Sequence, residues 1–437
     1  MKRLVLTIGM FLLGLSTVGA QTKLTLEQAL EIALSENPTI KIADQEIEIK
    51  RYAKQGTYAS LYPQLDASAQ YQRVLAKQTM SMDLGGETQT IKVGSDNSFN
   101  GGLTLSMPII NAQLWSNLKV SALDVELAVE QARSSREDMI EQVTQAYYSA
   151  LLAKESLVVY KRVYDNAVEN NKNVRMKYDV GSTSEYDLIT SNVTVQNAIP
   201  NLIEAENSVT LTLWQLKALL GVDLEMDIDV VGSLMDYESM MKEAYDMSQL
   251  DLADNSTMKQ LDLQEQMLQK ALKITKMANV PTLSINAAYL YTALGNDGSF
   301  FKSSAWNPYS YAGLQLNIPI FAGNAKRAAT RQARLDLSNL QLQRQDTERQ
   351  LRVSIIQCLN NMQTGVKQYN SASATVDQAQ RGYDIAVKRY EIGNGTLVEI
   401  DNSQLALTQA ELSRNQSIYN FLVAKVTLDK ILGNIEL

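Results

Sequence analysis

Few side chains in this sequence could do covalent chemistry. The chain contains no histidine and one cysteine, Cys358. A His-based triad therefore cannot be assembled, and no phosphate-binding loop, nucleophile elbow or cysteine–metal spacing is present. What remains is acidity, with 48 carboxylates against 40 basic side chains. Asp227 and Asp229 are spaced as two metal ligands could be. With no histidine to complete such a site, they read as an acidic surface loop. An acidic chain is also a poor partner for nucleic acid, which selects a basic face. No catalytic residue, metal or other cofactor is expected, and the chain is read as a non-enzyme.

The elements that would position any working side chain are laid out twice. Lys177-Tyr178-Asp179-Val180-Gly181 returns as Arg389-Tyr390-Glu391-Ile392-Gly393, an offset of 212 from Tyr178 to Tyr390. Leu216–Gly221 returns at Leu428–Gly433 with the same offset, and Leu103–Ile109 returns at Leu314–Ile320 shifted by 211. Three separated matches at nearly constant offset predict a duplicated architecture. Ahead of each tyrosine runs a heptad seam. From Leu118 to Val174 every seventh residue is uncharged and most are small, and a second column runs from Ala122 to Tyr178. This is the a/d pattern of a helix packed coiled-coil fashion on a neighbour. Asn111 to Tyr178 is thus predicted as one helix about 100 Å long, against about 11–12 residues for an ordinary globular helix.

The second rod, from Asn324 to Tyr390, carries Leu351, Cys358, Gly365, Ala372, Ala379 and Ala386 interleaved with Ile355, Met362, Tyr369, Val376, Tyr383 and Tyr390. Its first third is rich in arginine and glutamine and keeps the pattern less well. Cys358 stands 212 residues after Ala146 on this seam and is read as a buried small hydrophobe, not a redox group. Shorter helices return over Tyr186–Leu220 and Leu397–Leu432, each stopped by glycine (Gly221, Gly433).

Residues 1–20 read as a secretory leader: Lys2 and Arg3, an apolar run from Leu4 to Leu15, then Val18-Gly19-Ala20. Its removal takes the net charge from −8 to −10, because it carries two basic and no acidic residues. No other stretch has the roughly 18 apolar residues of a spanning helix, so a membrane crossing would have to be a closed barrel. Strands are predicted where the period changes to two. Leu65, Ala67, Ala69 and Tyr71 alternate with Gln64, Asp66, Ser68 and Gln70; after a polar loop over Lys77–Ser98 come Leu103, Leu105 and Met107, ending at Pro108. The second half gives Leu283, Ile285, Ala287 and Tyr289, a loop at Gly295–Gly298, then Ala312, Leu314, Leu316 and Ile318. Short helices precede each pair: Leu24–Leu34, a helix capped at Asn37 and running to Tyr58, and one capped at Asn255 and running to Ala278. The chain divides into a leader (1–20), a first repeat (21–222), an acidic connector (223–236) and a second repeat (237–437).

Four strands per chain cannot close a barrel, for which about eight is the working minimum. A membrane reading therefore requires strands pooled among chains. The plain alternative is a small soluble sheet capped by helices, against which stand the export signal and rods that such a sheet would leave unsupported. At this point the chain resembles the TolC-like outer-membrane efflux protein family over essentially all of residues 21–437. The resemblance rests on the duplicated strand-strand-rod-turn-helix plan, the proline exits at Pro108 and Pro319, and the Tyr-x-x-Gly turns at Tyr178–Gly181 and Tyr390–Gly393. It implies an α+β membrane protein of the bacterial outer membrane, a homotrimer whose twelve-stranded barrel meets outer-membrane lipid and continues into a periplasmic α-helical tunnel. The implied function is the passive exit channel of a tripartite efflux pump, supplied by an inner-membrane transporter through a periplasmic adaptor. A protein or peptide secretion duct is the near alternative. A barrel-free periplasmic coiled-coil scaffold is the distant one, and the glycine- and lysine-rich β-domain expected of an adaptor is not visible.

The resemblance also implies where a gate would be. It places Asp187 and Glu399, 212 residues apart, in acidic rings at the tunnel tip that would favour cations. Asn402 falls where some members have a further aspartate, and Gly395 where some carry an arginine that pairs across the tip. Tyr178, Tyr390 and Tyr186 are the aromatic candidates for the constriction, and the turns at Gly181, Ser182, Gly393 and Asn394 are those expected to meet the adaptor. Each has a plainer reading. An acid in the first turn of a helix is favoured by free N–H groups and the dipole, the tyrosines continue the seam, and a sharp turn selects glycine for positive φ.

Overall fold

Strand pairing sorts the side chains of this protein before anything else does. In the computed structural model, which describes residues 22–84, 87–242, 251–296 and 306–435, four long strands form one antiparallel sheet. They are β2 (Gln64–Arg73), β5 (Asn97–Ile110), β7 (Thr282–Gly295) and β8 (Trp306–Asn317), hydrogen-bonded in the order β2-β5-β7-β8. The leader assigned to residues 1–20 and the Asp297-Gly298 end of the predicted loop lie outside the described residues.

The register keeps like with like. Leu65 pairs with Leu105, which pairs with Ala287, which pairs with Ala312. One step along, Asp66 pairs with Thr104 and Gln64 with Ser106, and Ser106 pairs with Asn286. Directly opposed residues share a face, so one face carries Leu65, Ala67, Leu103, Leu105, Ile285 and Leu314 and the other is largely Gln, Asn, Ser and Thr. The apolar side chains stay exposed, Leu314 to 69% and Leu316 to 59%. Asn286 Nδ2 donates to Gln315 Oε1 on the polar face at 2.8 Å. A solvated sheet would bury that apolar face, whereas a barrel wall turns it to lipid.

Two expectations for this region need correcting. The polar stretch Lys77–Ser98 is not a loop but chiefly a hairpin, β3 (Gln78–Leu84) and β4 (Glu87–Val93), in register from Gln78↔Val93 to Leu84↔Glu87. Its exposed Met80, Met82, Ile91 and Val93 share one face, interrupted by Gln78, Glu87 and Gln89, and the opposite face is Thr, Ser, Asp and Lys. The strand expected to end at Pro108 runs on to Ile110, with an irregularity between Pro108 and Ile110 that absorbs the missing proline donor.

The helical elements come close to the periodicity. The remaining elements are β1 (Thr22–Leu24), α1 (Leu26–Glu36), α2 (Pro38–Ala59), α3 (Ala112–Asp179), α4 (Glu185–Leu220), β6 (Ile228–Val230), a 3₁₀ segment (Leu234–Lys242), α5 (Ser256–Met277), α6 (Ala325–Glu391) and α7 (Leu397–Leu432). Two compact units emerge. Glu46–Val129 with Gln260–Arg344 holds the four-stranded sheet, and the described residues of Met1–Gln45, Glu130–Lys259 and Gln345–Leu437 form the other. In the second unit the seams are buried as their spacing requires: Ala132, Met139, Val143, Ala150, Ala153, Ala167 and Val174 on α3, and Ile355, Cys358, Met362, Tyr369, Ala372 and Val376 on α6. Cys358 is buried, and burial raises its thiol pKa, against reactivity.

The duplication is legible in hydrogen bonds. Asn37 caps α2 by accepting from Thr39 N–H and sends its amide to Leu219 O at 2.7 Å. Asn255 caps α5 through Met258 N–H and sends its amide to Ile431 O at 2.8 Å. Each asparagine thus ties the start of one helix to the last turn of a return helix. Gly221 and Gly433 close those turns in left-handed conformation, at φ 71° and 72°. The acidic connector is more ordered than its composition suggests. Its β6 pairs in parallel with β1, Tyr147 Oη donates to Leu24 O and Val231 O, and Lys154 Nζ donates to Asp229 Oδ1 at 2.8 Å. Asp229 is thereby taken by an ammonium.

A cap prediction follows. A Cβ at Gly221 would lie 2.9 Å from Asn37 Cα, whereas at Gly181, with nearly the same φ of 70°, it would meet nothing within 4 Å. Gly181→Ala should cost about 1–2 kcal/mol for the left-handed backbone alone, and Gly221→Ala distinctly more. Thermal unfolding followed by far-UV circular dichroism should rank them in that order; equal losses would refute the packing argument.

Candidate functional site

The two turns that end the long helices are built alike. At the first, Ser182 N–H donates to Lys177 O (2.7 Å) and Gly181 N–H to Tyr178 O (2.8 Å). At the second, Asn394 N–H donates to Arg389 O (2.8 Å) and Gly393 N–H to Tyr390 O (3.2 Å). Both are the paired closure that satisfies the last helical carbonyls around a left-handed residue, with Gly181 at φ 70° and Gly393 at 79°. Ser184 and Thr396 then cap the return helices. Gly181, Ser182, Gly393 and Asn394 are all exposed at these turns.

The carboxylates turn inward on their own hairpins. Asp187 completes a capping box with Ser184: its N–H donates to Ser184 Oγ at 3.1 Å, while its Oδ2 accepts from Thr183 Oγ1 at 2.7 Å and Ser184 Oγ at 2.9 Å. The Thr183 hydroxyl bond, helped by Ser184 and opposed by partial burial, pulls the Asp187 carboxyl below its ordinary range. Glu399 Oε2 lies 3.3 Å from Arg389 Nη1, and Arg389 Nη2 donates to Asn394 O at 2.9 Å. Arg389 therefore laces its own turn. Gly395 is set so that a Cβ would lie 2.9 Å from Tyr390 N, and this backbone has no room there for an arginine.

The turns are joined by a residue that sequence reasoning missed. Lys177 Nζ donates to Tyr390 O at 2.8 Å and lies 4.1 Å from the centre of the Tyr390 ring. Burial raises the Tyr390 phenol pKa, the Thr183 hydroxyl opposes it, and the Asp187 charge adds to it. Lys177, Thr183, Asp187 and Tyr390 thus form one cluster, and Arg389, Asn394 and Glu399 another. Beside them is a groove of about 320 Å³ lined by Met176, Val180, Ser182, Val387, Tyr390 and Ile400 among others. Tyr178 and Tyr186 stand apart, 38% and 70% exposed, and Asn402 is exposed.

Asp401, next to Asn402, was also missed. It accepts from Thr194 Oγ1 at 3.2 Å, joining α7 to α4. Burial raises its pKa, partly offset by Thr194. The signal was an aspartate on the stripe of Leu397, Ile400 and Gln404.

The two aspartates should respond to acid in opposite senses. Asp187 is held below its ordinary 3.8, so its cap is intact at neutral pH and is lost only as pH falls below that value, through the folded pKa. Asp401 is raised above 3.8, so its burial penalty is present while it is ionised and is relieved as pH falls through the raised folded pKa. Hydrogen exchange corrected for intrinsic rates should show α7 around Asp401 becoming better protected as pH is lowered from neutral towards 3.8, with the first turn of α4 unchanged over that range. Asp401→Asn should abolish the gain; a gain that survives would exclude Asp401 as its source.

Comparison with known proteins agrees with this geometry. A family model described as "Outer membrane efflux protein" matches residues 29–222 and 247–434. The chain is 25% identical over 409 residues to the alkaline protease secretion protein AprF of Pseudomonas aeruginosa, spanning 90% of this chain and 81% of that protein. It is 21% identical over 453 residues to the outer membrane protein TolC of Escherichia coli, spanning 99% and 87%. Among solved structures, the CmeC outer membrane channel of Campylobacter jejuni matches with a TM-score of 0.75 over 94% of this chain and 85% of that one, at 21% identity.

Proposed function

The chain belongs to the outer membrane efflux protein family, and from that premise we propose that it is the exit channel of a tripartite efflux pump. Three copies pool their strands, a periplasmic adaptor meets the turns at Gly181, Ser182, Gly393 and Asn394, and an inner-membrane transporter supplies the substrate. The chain is then a duct rather than an enzyme.

The observation that carries this reading is the open sheet. Strands β2 and β8 are its edges, and its apolar face leaves Leu65, Leu103, Leu314 and Leu316 exposed. In hydrocarbon each unpaired backbone group costs several kcal/mol, so an edge there must find a partner. Pairing β8 of one copy with β2 of the next supplies it, and three sets of four strands make a barrel wide enough to hold a lumen. A division into repeats at 21–222 and 237–437, joined by 223–236, fits a plan in which each half supplies two strands of the sheet, one long helix and one turn.

At the tip, three copies of Asp187 and Glu399 supply the negative potential, with the exposed Asn402 a polar but neutral neighbour and Tyr178, Tyr186 and Tyr390 the aromatic border. In planar bilayers Asp187→Asn combined with Glu399→Gln should move the cation-to-anion permeability ratio toward unity. An unchanged ratio would remove both residues from the conduction path.

A second reading, export of a protein, is favoured by the similarity to AprF. Deleting the gene separates the two. Efflux predicts increased sensitivity to dyes and antibiotics with an unchanged set of proteins in the medium; protein export predicts loss of a secreted protein and unchanged sensitivity.

A further inference from the structure

The apolar face of the sheet is not flat. Ala67 and Ala69 on β2 and Gly101 on β5 form the floor of a depression of about 570 Å³, walled by Leu103, Phe99, Tyr291 and Trp306. Phe99 and Trp306 meet edge to face at 4.7 Å, and Trp306 and Tyr291 at 6.5 Å. The floor is low for a definite reason: Ala69 is paired with Gly101 and Gly101 with Tyr291, so small residues on two neighbouring strands lie beside a large one on the third. The volume is that of a small-molecule site, about 300–1,000 Å³, yet the lining is almost wholly carbon.

The notch sits toward the end of the sheet where β2 finishes and β5 begins, away from the strand ends that lead into the helices. Aromatic side chains on a barrel wall mark the level of the headgroups. Arg73 lies beyond Tyr71 on the same face, four residues and about 13 Å past Ala69, and it is exposed. A cation above an apolar slot is the arrangement that would receive a phosphate above an acyl chain.

We infer that this notch is a lipid site, in which one acyl chain of the phosphorylated glycolipid of the outer leaflet lies over Ala67, Ala69 and Gly101 with its phosphate at Arg73. The inference rests on the barrel reading, because it requires this face to be in lipid, but not on what the channel exports. Within hydrocarbon the gain is not expulsion of water. It comes from dispersion contacts along ring faces that a smooth wall would not provide, and these vanish if the slot is left empty. A small-residue floor also gives the chain a fixed path, which distinguishes a site from general contact with the annulus.

Native mass spectrometry of the detergent-purified oligomer tests this, and the same spectrum reports assembly. Wild type should retain glycolipid, up to one molecule per chain. Ala69→Phe, which fills the slot, should lose it, and Arg73→Gln should retain less. Ala287→Phe, on the same face outside the notch, should behave as wild type. Equal retention by wild type and Ala69→Phe, or retention of phospholipid instead of glycolipid, would overturn the inference while an intact oligomer mass left the channel reading standing.

Should Ala69→Phe not assemble, Trp306 itself decides. Trp115→Phe and Trp214→Phe leave it as the sole tryptophan of the three. Glycolipid with brominated acyl chains, titrated into phosphatidylcholine nanodiscs, should then quench its fluorescence to saturation at low mole fraction. Quenching that merely follows the bulk mole fraction would show ordinary annular contact and refute the site.

Discussion

Leu314→Arg will abolish the assembled oligomer, and Gln315→Arg, one residue along the same strand, will leave it intact. Leu314 pairs with Ile285 on the apolar face and is 69% exposed; Gln315 pairs with Ser284 on the polar face and accepts from Asn286. An arginine on the lipid face of a barrel costs between about 1 and 4 kcal/mol depending on its depth, and a closed ring of three chains would incur it three times. On the lumen face the same guanidinium is hydrated and its cost is small. Semi-native gel electrophoresis of outer-membrane fractions, with and without heating, reads the result. If both variants assemble equally, the faces are assigned wrongly and the barrel reading fails with them.

Lys177→Met should hold the tip open. The ammonium both donates to Tyr390 O and covers the Tyr390 ring, tying the first turn to the second. A hydrogen bond from a charged donor contributes about 1.5–3 kcal/mol and an exposed cation–π contact about 0.5–1. Losing about 2 kcal/mol per chain shifts a tied-to-released equilibrium by more than tenfold. The expected result is a severalfold rise in single-channel open probability, with Lys177→Arg staying closer to wild type. Methionine keeps the apolar stem, so a folding defect is not the expected cause. An unchanged open probability would reduce Lys177 to a packing residue.

The parts legible in the sequence were those that depend on long repetition. The seam from Leu118 to Val174 is sampled over many turns, so tertiary packing has little scope to override it, and α3 begins and ends within one residue of Asn111–Tyr178. Gly181, Gly221, Gly393 and Gly433 were readable because only one backbone conformation asks for glycine after a helix. The β3–β4 hairpin was missed because the apolar face made by Met80, Met82, Ile91 and Val93 is broken by Gln78, Glu87 and Gln89, although Gly85-Gly86 between two alternating stretches is a two-residue hairpin signal. Strands β1 and β6 are three residues each, too short for any period to register.

At the tip, types and positions were visible but directions were not. Asp187 reads the same in sequence whether it faces a pore or closes a capping box, and only the placement of Thr183 and Ser184 shows the box in this chain. Arg389 and Glu399 are ten positions apart across a turn, beyond the reach of helical spacing rules. Asp401 carries no motif of its own and stands beside Asn402, the residue the family likeness indicates. One step along a helix is a rotation of about 100°, which moves the carboxylate from the exposed side of α7 to its contact with Thr194.

The most direct test of the central claim is single-channel recording on purified material whose mass has been measured in the same preparation. Sharing of strands predicts a particle of three chains that gives discrete, long-lived conductance steps in a planar bilayer. A single-chain particle that inserts without conducting would contradict it.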